Sequence, residues 1–226
     1  MELSLSGRTV LITGASSGFG AHFARLFVAE GARVVIGARR VDKLAALAAE
    51  LGDAALAVAM DVTDEASIIA AYDAAEAKFG TVDTVIANAG IAKAGRSTDL
   101  SAADIAAVVE TNFTGLYLTA REGAKRMIAA GFKDSERGRI VLLGSITAEL
   151  TGNGETAYAA IKAGVAHLGR QFAREWVRQG INVNTIHPGI SPSEANASWF
   201  ESDRGTSAIA AQHRRQLPGE VLGILQ

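Results

Sequence analysis

The amino-acid sequence predicts an α/β protein built on a doubly wound parallel sheet with helices on both faces. Six short apolar runs, near residues 8–12, 33–37, 55–60, 83–87, 139–144 and 181–187, read as strands with little polar alternation, the pattern of strands covered on both sides. Between them lie longer stretches with apolar residues at helical spacing. Glycines stand where those stretches should stop: Gly31, Gly52, Gly80 and Gly180.

Taken in order, the first strand runs from Thr9 to Ile12 and enters a glycine-rich segment that opens a helix whose face is Phe19, Phe23, Leu26 and Phe27. Val34–Ile36 marks the second strand, and the alanine-rich stretch after it is a good helix former. Ile68, Tyr72, Ala75 and Phe79 share the face of the next helix, with Thr63 as its N-cap and Asp64 and Glu65 in its first turn. Long helices follow near 101–130 and 156–178, before the fifth and sixth strands complete the alternation. No composition shift interrupts it, so residues 1–226 read as a single doubly wound α/β domain. Within it the segment 190–215, carrying Trp199 and Phe200, reads as a lid over the substrate pocket.

Composition narrows the function. Hydrophobic residues make up 49%, enough for a large core, and 22 Lys and Arg against 24 Asp and Glu give a net charge of −2. That leaves no basic excess to hold a nucleic-acid backbone. No apolar run reaches the roughly 18 residues of a membrane span. There is no cysteine, hence no disulfide or thiolate metal site, and His22, His167, His187 and His213 lack ligand spacing, so no metal is expected. The start of the chain lacks a signal-peptide pattern, which points to the cytoplasm.

Two clusters carry chemistry. The first is Thr13-Gly14-Ala15-Ser16-Ser17-Gly18-Phe19-Gly20, between strand and helix. Its glycines let the backbone approach a ligand closely, and a helix N-terminus favours phosphate. The same residues satisfy Gly-x-Ser-x-Gly, the nucleophile elbow of hydrolases, which leaves Ser16 as a rival nucleophile. The second is Ser145, at the end of the fifth strand, with Tyr158 and Lys162 four apart on one helix face. A phenol with a pKa near 10 needs about 4 kcal/mol of help to ionise at neutral pH. A nearby ammonium and a hydroxyl donor can supply part of it.

These stations, together with Asn88-Ala89-Gly90, Asn112, Asp61-Val62, Pro188-Gly189 and Ser193, resemble in order and spacing the short-chain dehydrogenase/reductase family over essentially the whole chain. The resemblance implies a Rossmann-like fold and hydride transfer between a nicotinamide cofactor and a carbonyl or secondary alcohol. Tyr158 would then be the general acid/base, Lys162 would lower its pKa and hold the nicotinamide ribose, and Ser145 would polarise the substrate carbonyl. Asn112 would hold a water continuing a proton relay through Lys162. Gly14, Ser16, Ser17, Gly18, Phe19 and Gly20 would wrap the pyrophosphate; Asp61 and Val62 would bind adenine. Asn88, Ala89 and Gly90 would shape the cofactor floor. Pro188, Gly189, Ile190 and Ser193 would contact the nicotinamide. A homodimer or homotetramer through the two long helices is expected.

The second strand continues Gly37-Ala38-Arg39-Arg40, without the acidic residue that selects NAD. Arg39 could clamp a 2′-phosphate, so NADP(H) is favoured over NAD(H). Two departures from the family pattern stand out. Gly144 replaces a serine often found before the catalytic one, and the sequence given reaches Gln226 without the family's final strand and its Val-Asp-Gly-Gly-like motif, so either a tail is missing from it or the assembly is unusual. A hydrolase using Ser16 and a non-catalytic nucleotide sensor remain as alternatives.

Overall fold

The computed structural model describes residues 5–189. Six strands, β1 (Thr9–Thr13), β2 (Arg33–Ala38), β3 (Ala55–Ala59), β4 (Thr84–Ala87), β5 (Gly138–Leu143) and β6 (Ile181–Ile186), form one sheet in the order β3-β2-β1-β4-β5-β6. Every pairing is parallel. The helices are α1 (Gly18–Ala29), α2 (Val41–Leu51), α3 (Glu65–Phe79), α4 (Ala102–Val109), α5 (Gly115–Ala129), α6 (Phe132–Ser135) and α7 (Thr156–Trp176). The expected segments Ile190, Ser193 and the lid at 190–215 lie outside the described residues.

Side chains alternate across a strand, so each buried strand feeds two cores. Leu11, Val35, Val85 and Ile140 pack with Ile68 and Tyr72 of α3, Leu116 and Met127 of α5, and Val165 and Phe172 of α7. Their neighbours Val10, Ile12, Val34, Ile36 and Ile86 pack with Ala21 and Ala24 of α1 and Leu44 and Leu47 of α2. Each buried aliphatic side chain contributes about 1.5–3 kcal/mol, which makes both faces obligatory contacts. At the base of the sheet the buried carboxylate of Asp83 accepts from the Thr9 N–H at 3.2 Å and pairs with Arg8 and Arg137. It ties β1, β4 and the start of β5 together.

Two local expectations change. Asp64, not Thr63, caps α3, accepting from the Ala66 N–H at 2.9 Å. Thr63 is drawn instead to the Asp61 carboxylate, which takes both its N–H and its hydroxyl, at 3.0 and 2.8 Å. A charged acceptor two residues back outcompetes the helix end for that side chain. The helix expected near 101–130 is broken: residues 110–114 form a π-helical turn, and the Gly115 N–H reaches back five residues to the Glu110 carbonyl. Such a turn carries one extra residue and often marks a functional position.

Strand order reverses between β1 and β4, whose C-terminal ends flank a crevice where sheets of this type bind ligands. No described helix is long and apolar enough to cross a membrane.

Candidate active site

The loop after β1 is shaped by contact with the loop after β4. Gly14 has φ +68°, and a Cβ there would lie 2.8 Å from the Ala89 Cα. A Cβ on Gly20 would come within 2.6 Å of the Gly14 carbonyl oxygen, so both positions require glycine. The buried Thr13 hydroxyl accepts from the Asn88 and Ala89 N–H groups, each at 3.0 Å. Asn88 returns a hydrogen bond from Nδ2 to the Thr13 carbonyl at 2.9 Å. The two loops are thereby one unit.

At the start of α1, Ser17 has extended backbone and its hydroxyl does not cap the helix. Instead the Arg40 guanidinium reaches across from the N-cap of α2, donating to the Ser16 hydroxyl at 3.0 Å and the Ser17 hydroxyl at 2.5 Å. The first N–H groups of a helix have no intrahelical partners and attract anions. A cation held by two serines beside them strengthens that field. Gly18 and Phe19 form the first turn of α1, where the Phe19 ring stacks on Phe23. This is a cradle of small residues, hydroxyls and positive charge, and it fits a dinucleotide pyrophosphate.

The rim beside it carries Ala38, Arg39 and Asp61. Arg39 is 70% exposed, with Nη1 3.9 Å from the Asp61 carboxylate. Hydrogen bonds from Thr63, then the Arg39 charge, hold the Asp61 carboxyl below its ordinary range despite partial burial. Val62 is buried against Gly115, so its side chain belongs to the core.

Ser145, Tyr158 and Lys162 meet at the end of β5. The Ser145 oxygen accepts from the Thr147 N–H at 3.2 Å and lies 2.9 Å from the Thr147 hydroxyl. With its lone pairs so engaged, its O–H is the group left to donate, and the Ser145 side chain lies near enough to Tyr158 to act on its phenol. Lys162 is 4% exposed, and its Nζ donates to the Leu143 carbonyl at 2.6 Å. The ammonium lies 5.6 Å from the centre of the Tyr158 ring. Burial pushes Lys162 down to about 8. Tyr158 lies above the ordinary phenol value: burial raises it most, Ser145 opposes, and Glu155 adds a smaller upward push.

Asn112 sits in the π-helical turn, fully buried. Its Oδ1 accepts from the Ile91 N–H at 2.8 Å and its Nδ2 donates to the Ile91 carbonyl at 2.7 Å. Both ends of the amide bond the Ile91 backbone, so the side chain braces the segment that follows Asn88-Ala89-Gly90. Pro188 follows β6, and its carbonyl accepts from the Ile146 N–H at 3.0 Å, with Gly189 next to it. The loops after β1 and β4 thus form the cradle, and those after β5 and β6 the reacting group.

Sequence reasoning missed Thr147, Arg40 and His187. The Ser-x-Thr pattern at 145–147 was a signal for the first, since such pairs hydrogen-bond locally. Ser16 accepts from Arg40, a group that cannot act as a base, so the hydrolase reading lacks a partner for that serine.

Comparison with known proteins agrees with this geometry. The family described as short chain dehydrogenase matches residues 8–204. A cis-4-hydroxycyclohexanecarboxylate dehydrogenase of Sinomonas cyclohexanicum is 39% identical over 213 residues, covering 92% of this chain and 83% of the relative. The crystal structure of a 3-ketoacyl-(acyl-carrier-protein) reductase from Brucella melitensis, complexed with NADH, superposes with TM-score 0.82 at 35% identity, covering 85% and 79% of the two chains. A gluconate 5-dehydrogenase from Burkholderia cenocepacia J2315, in complex with NADP and tartrate, gives 0.86 at 31% identity, covering 93% and 82%. With the sheet order, the glycine cradle and the Ser145–Tyr158–Lys162 cluster in place, the chain belongs to the short-chain dehydrogenase/reductase family of oxidoreductases.

Proposed function

We propose that this chain moves a hydride between a nicotinamide cofactor, NADP(H) in preference to NAD(H), and the carbon of a carbonyl or secondary alcohol, with Tyr158 as the proton-transfer group. The observation that carries this is the convergence of three groups at the end of β5: the Tyr158 ring 5.6 Å from the buried ammonium of Lys162, and the Ser145 side chain acting on the same phenol. The cofactor, when bound, supplies or accepts the hydride. In reduction the substrate oxygen takes the phenolic proton while the Ser145 O–H polarises it. The phenolate left behind is stabilised by the Lys162 charge, while the Ser145 O–H stays on the substrate oxygen. Because Tyr158 sits above the ordinary phenol value, it holds its proton at neutral pH, the state needed to act as an acid.

Gly14, Ser16–Gly20 and Arg40 would hold the pyrophosphate; Arg39, Asp61 and Val62 would flank the adenosine; and Asn88, Ala89 and Gly90, braced by Asn112, would form the floor. Pro188 and Gly189 would meet the nicotinamide. A cytoplasmic homo-oligomer belongs to the same reading, supported by exposed Tyr117, Ile128 and Val177 on and beside α5 and α7.

The experiment is a substrate panel read by NADPH absorbance: cyclic ketones and 4-hydroxycyclohexanecarboxylate, 3-oxoacyl thioesters, and gluconate with its keto forms. Turnover of any member that requires the nicotinamide supports the reading. Cofactor-independent release of acid from an ester, blocked by Ser16→Ala, would favour the hydrolase instead.

Cofactor choice has its own test. A charge-assisted contact to phosphate is worth about 1.5–3 kcal/mol, or roughly 10- to 150-fold in affinity. Arg39→Ala is expected to weaken NADPH by that factor and leave NADH almost unchanged. Arg40→Ala is expected to weaken both, since Arg40 organises the serines of the shared cradle. Ala38→Asp should invert the preference. Equal NADH and NADPH affinities in the wild-type protein, measured by fluorescence titration, would refute the NADP assignment.

A further inference from the structure

We propose that His187 is a positioning residue for Ser145, and that position 144 is glycine because the imidazole of His187 occupies the space a side chain would need. The inference rests on Ser145 acting on the substrate as described above. It deepens that reading by naming what holds the serine.

The parallel ladder between β5 and β6 ends at the pair Leu143 and Ile186. Beyond it the chains stay together through the Gly144 N–H to the Ile186 carbonyl at 2.8 Å and the Ile146 N–H to the Pro188 carbonyl at 3.0 Å. Between those bonds the peptide groups of Ser145 face the ring of His187. Nδ1 lies 2.9 Å from the Ser145 carbonyl oxygen and 3.3 Å from its backbone nitrogen. A single ring nitrogen can serve one of them: it donates to the carbonyl if protonated and accepts from the N–H if not. The shorter contact assigns the proton to Nδ1 and the bond to the carbonyl.

That bond lies within the reacting residue itself. Ser145 has φ −167° and ψ 153°, and its side chain caps the turn at 146–148. Fixing its carbonyl fixes the backbone that carries its hydroxyl. Two residues earlier, Lys162 grips the Leu143 carbonyl. The end of β5 is thus clamped by a lysine from α7 and a histidine from the end of β6, and the histidine is joined directly to Pro188 and Gly189.

Gly144 completes the arrangement. A Cβ there would lie 2.6 Å from His187 Nδ1 and 2.7 Å from Cε1, inside the ring's van der Waals envelope. With the ring removed, the Ile186 carbonyl oxygen at 3.1 Å would be the tightest neighbour, a distance small adjustments relieve. Residues 144 and 187 are therefore coupled.

The test uses the full chain, the best substrate of the panel and four variants: His187→Leu, His187→Asn, Gly144→Ser, and Gly144→Ser combined with His187→Ala. His187→Leu is expected to lower kcat about tenfold or more, with the NADPH dissociation constant within about twofold of wild type. His187→Asn, whose amide N–H can donate to the same carbonyl, should retain kcat within about threefold. Gly144→Ser should be as impaired as His187→Leu, and adding His187→Ala to it should cost nothing more or restore part of the rate. An unchanged kcat in His187→Leu, or losses at 144 and 187 that multiply, would overturn the proposal. A second measurement needs neither variants nor substrate: the 15N shifts of His187 in wild-type protein, which show which ring nitrogen carries the proton. The Nδ1–H tautomer supports the bond, and the Nε2–H tautomer refutes it. Failure of the catalytic reading would show separately, as full turnover in Tyr158→Phe, while the tautomer still decided the His187–Ser145 contact.

Discussion

Tyr158→Phe is expected to lower turnover by about 10²–10⁴-fold, the usual contribution of a positioned acid or base. The substitution removes one oxygen from a half-buried ring and leaves its packing in place, so NADPH affinity should change little. Ser145 keeps both contacts to Thr147, and Lys162 keeps the Leu143 carbonyl. The loss should therefore fall on kcat. Single-turnover kinetics with prebound NADPH is the measurement. A variant retaining more than about a tenth of the wild-type rate would show that the proton comes from elsewhere.

Lys162→Met is expected to act on both catalysis and stability, with opposite pH signatures. Its ammonium is taken out of water, and burial pushes the group from 10.5 to about 8 in the folded protein. Below about pH 8 both folded and unfolded chains carry the charge, and the folded one bears the desolvation cost. Between about 8 and 10.5 the folded protein has released the proton while the unfolded chain still holds it, so unfolding takes one up and stability rises with pH. The displacement corresponds to about 3 kcal/mol over that window. Methionine has no such proton. Wild-type stability should therefore gain on that of Lys162→Met between about pH 7.5 and pH 10 in urea denaturation. A constant difference would mean that the ammonium is well solvated. Turnover should drop about a hundredfold or more below about pH 8, where the variant lacks the cation that stabilises the phenolate, and the deficit should shrink above it as the wild-type lysine loses its own proton.

The fold was legible because its strands are buried on both faces. Val34–Ile36 or Val82–Ala87 can be read as strands without knowing what covers them, and glycines mark the helix ends. Each expected strand lies within a residue of its observed bounds. The cradle and the Ser145, Tyr158 and Lys162 cluster were legible because their chemistry depends on spacing along one loop or one helix face. What escaped depends on side chains crossing between elements. Nothing in the order Arg39-Arg40 tells which guanidinium turns toward Ser16 and Ser17 and which toward Asp61; that is decided by the direction in which β2 delivers the chain to α2. Asn112 was readable as an unusual polar residue in an apolar helix, but its partner, the Ile91 backbone, lies 21 positions away. His187 gave no signal by ligand spacing because its partner is a peptide group across the sheet.

The π-helical turn at 110–114 has a consequence for how this stretch tolerates changes in length. It is an inserted residue absorbed without a loop, so the segments on either side are out of phase with a single helix by about 100°. Deleting one residue there would let an uninterrupted α-helix run from Ala102 to the end of α5, a locally more regular structure. Everything upstream would then rotate about the axis by that angle. Val108, now fully buried, would leave the core, and a neighbouring position would turn inward in its place. An amide in the straightened turn would no longer meet the Ile91 backbone, and the floor formed by Asn88, Ala89 and Gly90 would lose its brace. The irregularity is a phase setting between two helical faces, and a one-residue deletion here should do more harm than most point substitutions in the same segment.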